Sequence, residues 1–409
     1  MNRRELLAAG VAAGAGAGGA RGQDPGALPQ APGAALRPHF PGIGDRAFLN
    51  AASCTPLGTF AQAGLREYED AWHAGHDRWG LVRQGVEDAR AAFARLVGAQ
   101  PGEIALVHCT KAGEQIVLDG FPALREGGNV VTNDLHFSGS LHNLEGRRRA
   151  GMDVRVVRAR DWAVRPEAME AAMDERTALV SVTLVSNVNG HVEDVAELAR
   201  LAHARGALVY ADVIQAAGAV PLDLRALGVD FAACSTYKWL LGPHGTGFLY
   251  VREEHQGSAL ADALFPGHVE HNYAPWVDAP DPAHGAYAWT APSDARRYQP
   301  GHVSYHGYLA VRRSLALLES IGVETVLRNA VGLNRRLLER VDGERYPCLS
   351  PHPDRSPIVT FAVPDPEALG ERLRDAGVVV TLAGRRLRVS PSIYNHAEDV
   401  DRLAAVLNA

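Results

Sequence analysis

From about residue 80 the chain alternates two kinds of hydrophobic pattern. "GVEDARAAFARLVG" (85–98) spaces its apolar residues as a helix does and stops at a glycine, a usual helix end. "EIALVHCT" predicts a strand, "GEQIVLDGFPALR" a helix and "NVVTND" a short strand. "DVRVVRA", a helix over "PEAMEAAMD", the strand "TALVSVTLVS" and a helix over "EDVAELARLAHARG" follow. "ALVYAD", "FAACS" and "GTGFLYV" predict three more strands. Strands rich in Val, Ala and Leu, alternating with helices, predict an α/β fold with a mainly parallel sheet covered on both faces. The stretch 253–300 is rich in Pro, Ala, His and Trp with little periodicity, as in a long functional loop or insertion. Residues 308–341 predict a long, interrupted helical stretch, and "SPIVTFAV", "PEALGERLRDAG", "VVVTL", "RLRVSPS" and "AEDVDRLAAVLN" predict a smaller α/β unit. The chain thus divides into a leader (1–23), a linker and N-terminal segment (24–80), a large domain (81–305) and a small C-terminal domain (306–409).

The leader "MNRRELLAAGVAAGAGAGGARGQ" has the layout of a secretory signal, and its Arg3-Arg4 pair resembles a twin-arginine export signal. Its apolar run is too short and glycine-rich to span a bilayer, and "QDPGALPQAPGAALRPHFPG" reads as a Pro/Gly linker. No later segment has a long uncharged apolar run, so the expectation is an exported, soluble protein with no membrane partner after processing. A net charge of −6 over 409 residues offers no basic surface for nucleic acid. The four cysteines, Cys54, Cys109, Cys234 and Cys348, form no CxxC pair, which excludes the usual structural zinc spacing and a disulfide framework. His268 and His271 in "GHVEHN" lack the further ligands of a metal site and read as surface histidines.

One cation stands in unusual company. In "STYKWLLGPHGTGFLYV" (235–251), Lys238 lies between aromatic and apolar residues, just after the strand "DFAACS". Open α/β sheets place their ligands at the carboxyl ends of strands. Desolvation beside Tyr237, Trp239 and Leu240 favours the neutral amine, the form that attacks a carbonyl. Upstream, "ALVYADVIQAAGAVPLD" ends a buried apolar strand on Asp212, which needs a cationic partner there. The protonated pyridine nitrogen of pyridoxal phosphate is one such partner. Gln215 follows in what reads as the first turn of a helix.

Together, "SVTLVSNVNG", the Asp-x-x-Gln strand end and the Ser-x-Tyr-Lys turn resemble the class V aminotransferase family of fold-type I pyridoxal-phosphate enzymes, whose isopenicillin N epimerase-like and cysteine desulfurase-like members share these motifs. The resemblance spans nearly all of the chain beyond the leader. It implies a large domain with a seven-stranded-type sheet and a smaller C-terminal α/β domain. It also implies pyridoxal 5'-phosphate as cofactor, an amino acid as substrate and a homodimer.

By the same resemblance Lys238 holds the cofactor as a Schiff base and shuttles the substrate α-proton, and Asp212 keeps the ring nitrogen protonated. Asn187 and Gln215 contact the ring hydroxyl, and His136 in "NDLHFSGSLHN" stacks on the ring, with His142 a nearby competitor. In "TKAGEQIV" the backbone N–H groups of Ala112 and Gly113 receive the phosphate at a helix start. Ser235 and Tyr237 complete the cup, Tyr237 standing where the family commonly has histidine. Arg388 in "RLRVSPSIYN" becomes the clamp for the substrate carboxylate, a task that suits its planar fork. "RRYQPGHVS" resembles the segment that reaches the partner's phosphate, with Gly301-His302 in place of Gly-Thr.

Desulfurases of the family need a cysteine on a loop shortly before that arginine, and "PEALGERLRDAGVVVTLAGRR" has none. The expectation is an enzyme acting at the α-carbon of an amino acid, first an aminotransferase, alternatively an epimerase or a carbon–sulfur β-lyase, and not a persulfide-forming desulfurase. A nucleotide-binding oxidoreductase would need a G-x-G-x-x-G after an early strand, which is missing. A binding protein that has lost catalysis has no use for Lys238.

Overall fold

The computed structural model describes residues 31–261, 270–271 and 289–409, with the backbone alone at 76–77, 270–271 and 289–290. The export signal and His268 lie outside the described residues, as does most of the 253–300 stretch. Seven strands form the main sheet: β1 (Ile104–Val107), β2 (Asn129–Asn133), β3 (Val154–Val157), β4 (Thr177–Thr183), β5 (Leu208–Asp212), β6 (Phe231–Ser235) and β7 (Gly247–Val251). Their spatial order is β1-β7-β6-β5-β4-β2-β3. All run the same way except β7, which is antiparallel to both its neighbours. Every residue of β1, β2, β4, β6 and β7 is buried, whereas the edge strand β3 is half-buried. Unbroken apolar runs are what a sheet covered on both faces requires.

The longer helices of this part are α1 (Thr59–His73), α2 (Trp79–Leu96), α3 (Thr110–Gly120), α4 (Ser138–Arg149), α5 (Val195–His203) and α6 (Tyr305–Ile321). Helix α2 starts six residues before its expected position, and α1 and α4 carry no expectation from the sequence pattern. Helix α4 buries only Ser140 and Leu144 and ends in three arginines, so it presents no apolar stripe to read. Helix α5 is capped by Asp194, whose side chain accepts the N–H of Glu197.

The C-terminal unit has an antiparallel sheet of β8 (Val359–Ala362), β9 (Thr381–Ala383) and β10 (Arg386–Val389), with β10 in the middle. With it go α7 (Val323–Leu338), α8 (Pro366–Asp375) and α9 (Ala397–Asn408). Its apolar core also takes in Ala47 and Leu49 from the N-terminal segment. Ala47–Phe48 pairs in parallel with Val378–Val379, so the N-terminal segment is bound to the C-terminal unit. The described part of the Pro/Gly "linker" is packed rather than free: Leu36 and Phe40 are both buried, which a count of prolines and glycines conceals. Among the described residues, no helix is long and apolar enough to cross a membrane.

Candidate active site

Five chain segments converge on the carboxyl edge of the main sheet. The end of β1 leads into α3, β2 leads to His136, β4 to Asn187, β5 ends on Asp212, and β6 leads through Ser235 to Lys238. The turn carrying Lys238 is held tightly: the Leu241 N–H donates to the Lys238 carbonyl (3.1 Å) and the Gly242 N–H to that of Thr236 (2.9 Å). Leu241 has φ 57°, a left-handed backbone that a non-glycine residue adopts under strain.

Lys238 is 6% exposed, and its ammonium makes no hydrogen bond or ion pair among the described residues. Its Nζ lies 5.7 Å from the centroid of the Tyr237 ring. Burial pushes its pKa down to about 8 against the opposing attraction of Asp212. Asp212 is 2% exposed. One of its oxygens accepts the Ile214 N–H (3.0 Å), and the other has no partner among the described residues. Burial raises its pKa to about 6, while the Ile214 N–H and Lys238 hold it down. A carboxylate and an amine, both desolvated and both short of partners, are a pair kept for a ligand.

His136 is fully enclosed, its Nδ1 accepting the Phe137 N–H (2.7 Å) and its Nε2 3.4 Å from Ser181 Oγ. That places the ring proton on Nε2. Burial first, and then the charge of Lys111, lower its pKa to about 3, so the ring is neutral. The competitor His142 is exposed on α4.

Gln215 lies in a series of turns rather than the expected helix. Its carbonyl accepts the Trp239 indole N–H (2.8 Å) and its amide donates to Ala52 O (2.9 Å), leaving one amide hydrogen free. Asn187 is half-buried, and its own carbonyl accepts from Arg388 (2.9 Å). The neighbouring Asn189 instead spends its amide on Trp162 O and Leu349 O.

At α3, Ser235 Oγ accepts the Thr110 N–H (2.7 Å) and the Ser235 N–H returns to Thr110 Oγ1 (2.9 Å). The cap of α3 is therefore supplied by the strand that leads to Lys238. The Gly113 N–H is already bonded to the Cys109 carbonyl (3.2 Å), so the N–H groups open at the helix start are those of Lys111 and Ala112. Gly113 contributes space instead: a Cβ there would lie 2.7 Å from the Ala233 Cβ, with α3 pressed against β6. Tyr237 is half-buried and stacks on His244 with ring centroids 4.1 Å apart.

Arg388, on β10, closes the site from the C-terminal unit. It donates to Asn187 O (2.9 Å), Ser53 Oγ (2.6 Å) and Thr381 Oγ1 (3.0 Å), and its Nε–H has no partner. Burial, then the neighbouring Arg386, lower its pKa to about 10, and no carboxylate pairs with it among the described residues. A guanidinium buried without an anion awaits one. Sequence reasoning passed over its supports Ser53 and Thr381, and also Lys111; Ser53 reaches Arg388 only through a contact between distant segments. His302 is the one predicted residue that does not join this group. It is exposed, bonds Tyr305 (3.0 Å) and lines a separate cavity with Arg83, Glu87 and Arg296.

The donor set suits pyridoxal phosphate: an unpaired lysine for its aldehyde, an under-satisfied buried carboxylate for its ring nitrogen, and a helix start for its phosphate. Fold and site together define an α/β enzyme built around a buried lysine. Residues 48–403 match the family Aminotransferase class-V, and the chain belongs to that family, which uses pyridoxal phosphate. A protein named "Probable cysteine desulfurase" from Methanothermobacter thermautotrophicus is 30% identical over 91% of this chain and 96% of its own. The uncharacterized aminotransferase YcbU of Bacillus subtilis is 30% identical over 70% of this chain and 73% of its own. Among solved structures, the cystine C–S lyase C-DES in complex with cysteine persulfide superposes with TM-score 0.78 at 21% identity, covering 90% of this chain and 98% of that one.

Proposed function

We propose that this protein is a pyridoxal-phosphate enzyme acting at the α-carbon of an amino acid, with aminotransfer as the first reading. The observation that carries it is the meeting of Lys238 and Asp212 at the strand ends, both buried and both short of partners. When bound, the cofactor supplies an electrophilic aldehyde and a ring that accepts the electrons released at Cα. Lys238 holds the aldehyde, and its lowered pKa keeps a usable share of the amine neutral near pH 8. The same amine would take and return the substrate's α-proton. Asp212 keeps a proton on the ring nitrogen. The neutral His136 covers one ring face and excludes water, while Asn187 and the free amide hydrogen of Gln215 approach the ring hydroxyl. The N–H groups of Lys111 and Ala112, with the hydroxyls of Ser235 and Tyr237, receive the phosphate. Arg388, whose buried Nε–H has no partner, takes the substrate carboxylate.

A second reading, cleavage of a carbon–sulfur bond at Cβ, is favoured by the names of the Methanothermobacter relative and of C-DES. No cysteine lies between Val363 and Arg388. Cys348 is exposed but lies upstream of that segment, and its thiol pKa is raised rather than lowered, so neither feature supports sulfur transfer through a thiol on that segment. Reduction with borohydride followed by peptide mapping tests the core of the proposal: a pyridoxyl adduct on Lys238 is required. Spectra recorded while L- and D-amino acids are added without a keto-acid acceptor then divide the readings. Conversion to the amine form of the cofactor with release of a keto acid supports transfer. Racemisation supports an epimerase, and sulfide or persulfide release supports the lyase.

The site is further proposed to be completed in a homodimer, with His302 reaching toward the partner's phosphate, and the protein to be exported by its twin-arginine leader. Gel filtration and cell fractionation with an Arg3→Lys/Arg4→Lys leader test these two points.

A further inference from the structure

A second lysine stands in this site. Lys111 is the second residue of α3, and its ammonium donates to the carboxylate of Glu114 one turn further on. Glu114 is 1% exposed and its Oε1 has no partner. The charge of Lys111 reaches His136 and Asp212, which arrive from β2 and β5. The ammonium thus lies at the start of α3, the helix whose first turn is tied by Ser235 to the strand leading to Lys238. Its side chain remains 30% exposed, so its contact with Glu114 does not enclose it.

An anion entering at this helix start meets two opposed influences. The open N–H groups of Lys111 and Ala112 attract it, and the buried carboxylate of Glu114 repels it. The side chains of Thr110, Ser235 and Tyr237 around that point are neutral hydroxyls. Lys238 is directed to the aldehyde, and Arg388 is held by Asn187, Ser53 and Thr381 for the substrate carboxylate. Lys111 is the cation placed to separate the anion from Glu114.

We infer that Lys111 is a ligand of the cofactor phosphate, standing between that dianion and the Glu114 carboxylate. The inference rests on the cofactor reading above. Pyridoxal, which lacks the phosphate, separates this role from any effect on the ring or the aldehyde. Dissociation constants of pyridoxal phosphate and of pyridoxal are measured by absorbance titration of cofactor-free protein. The proteins are the wild type, Lys111→Met and Lys111→Met/Glu114→Gln, the last leaving no buried carboxylate unpaired to hinder folding. Loss of one charge-assisted contact predicts a weakening for pyridoxal phosphate of about ten-fold or more in both variants. Pyridoxal binding should change by a clearly smaller factor, because it lacks the dianion and feels the charge only indirectly, through Asp212 and His136. Equal weakening of both compounds overturns the inference. So does return of the wild-type preference in the double variant, which reduces Lys111 to a counter-charge for Glu114. Wild-type protein that binds neither compound overturns the cofactor reading itself; wild-type protein that binds both, with variants that keep its preference, overturns this inference alone.

Discussion

Lys238 should make the cofactor-free protein less stable than it need be, and the size of the effect follows from its surroundings. Burial lowers its pKa from 10.5 to about 8. At roughly 1.4 kcal/mol per pKa unit, that shift is about 3 kcal/mol against the folded state at pH 7, where the amine is charged in both states. Lys238→Met keeps a similar volume and removes the charge, but it also removes the attraction that holds Asp212 ionised. The net expectation is a gain of about 2 kcal/mol at pH 7, roughly 2–3 °C in Tm for a chain this long. The pH dependence carries the sign. Between about pH 8 and the unfolded value of 10.5, the unfolded chain keeps a proton that the folded chain has released. Wild-type stability therefore rises with pH across that window, and the advantage of the variant closes. Urea unfolding of both cofactor-free proteins at pH 7 and pH 10 reads this directly. A variant less stable than wild type at pH 7, or a difference that does not narrow at pH 10, would show that Lys238 is already satisfied in the fold and is not held ready for a ligand.

Arg388→Met should raise KM for amino acids by about 10- to 100-fold, the range for one charge-assisted hydrogen bond. Binding of amines without a carboxylate, followed in the same spectrum, should be unchanged. His136→Phe should slow turnover without moving the pH–rate profile between pH 5 and 8, because a ring neutral from about pH 3 upward contributes no inflection there; a lost limb in the variant contradicts this. Gly113→Ala places a methyl 2.7 Å from the Ala233 Cβ and should destabilise the protein by about 1–3 kcal/mol. The same variant should weaken pyridoxal phosphate binding as α3 is pushed off β6, and both effects are measured by thermal unfolding with and without cofactor.

Much of the architecture was legible because it is local. The apolar runs at β4, β5 and β6 are continuous, and a strand buried on both faces must be so. Asp212 and Lys238 could be singled out for the same reason, each being a charge set where the surrounding pattern demands burial. Helix α4 was not legible, since it buries too little to leave a periodic mark, and neither was the packing of Leu36 and Phe40 beneath a proline-rich exterior. Gly113 was read as a phosphate donor, whereas its N–H closes the first turn of α3 and its missing side chain lets the helix approach the sheet.

What the sequence determined by itself was thus the α/β alternation and the identity of the two central charges, because both follow from hydrophobic pattern within a few residues. Only the tertiary structure decided that Ser235 caps α3 and that Ser53 holds Arg388. Each joins residues far apart in the chain. Their side chains meet only where strand ends, a helix start and the closing C-terminal unit are brought to one edge of the sheet, and the spacing within any one segment carries no trace of that meeting.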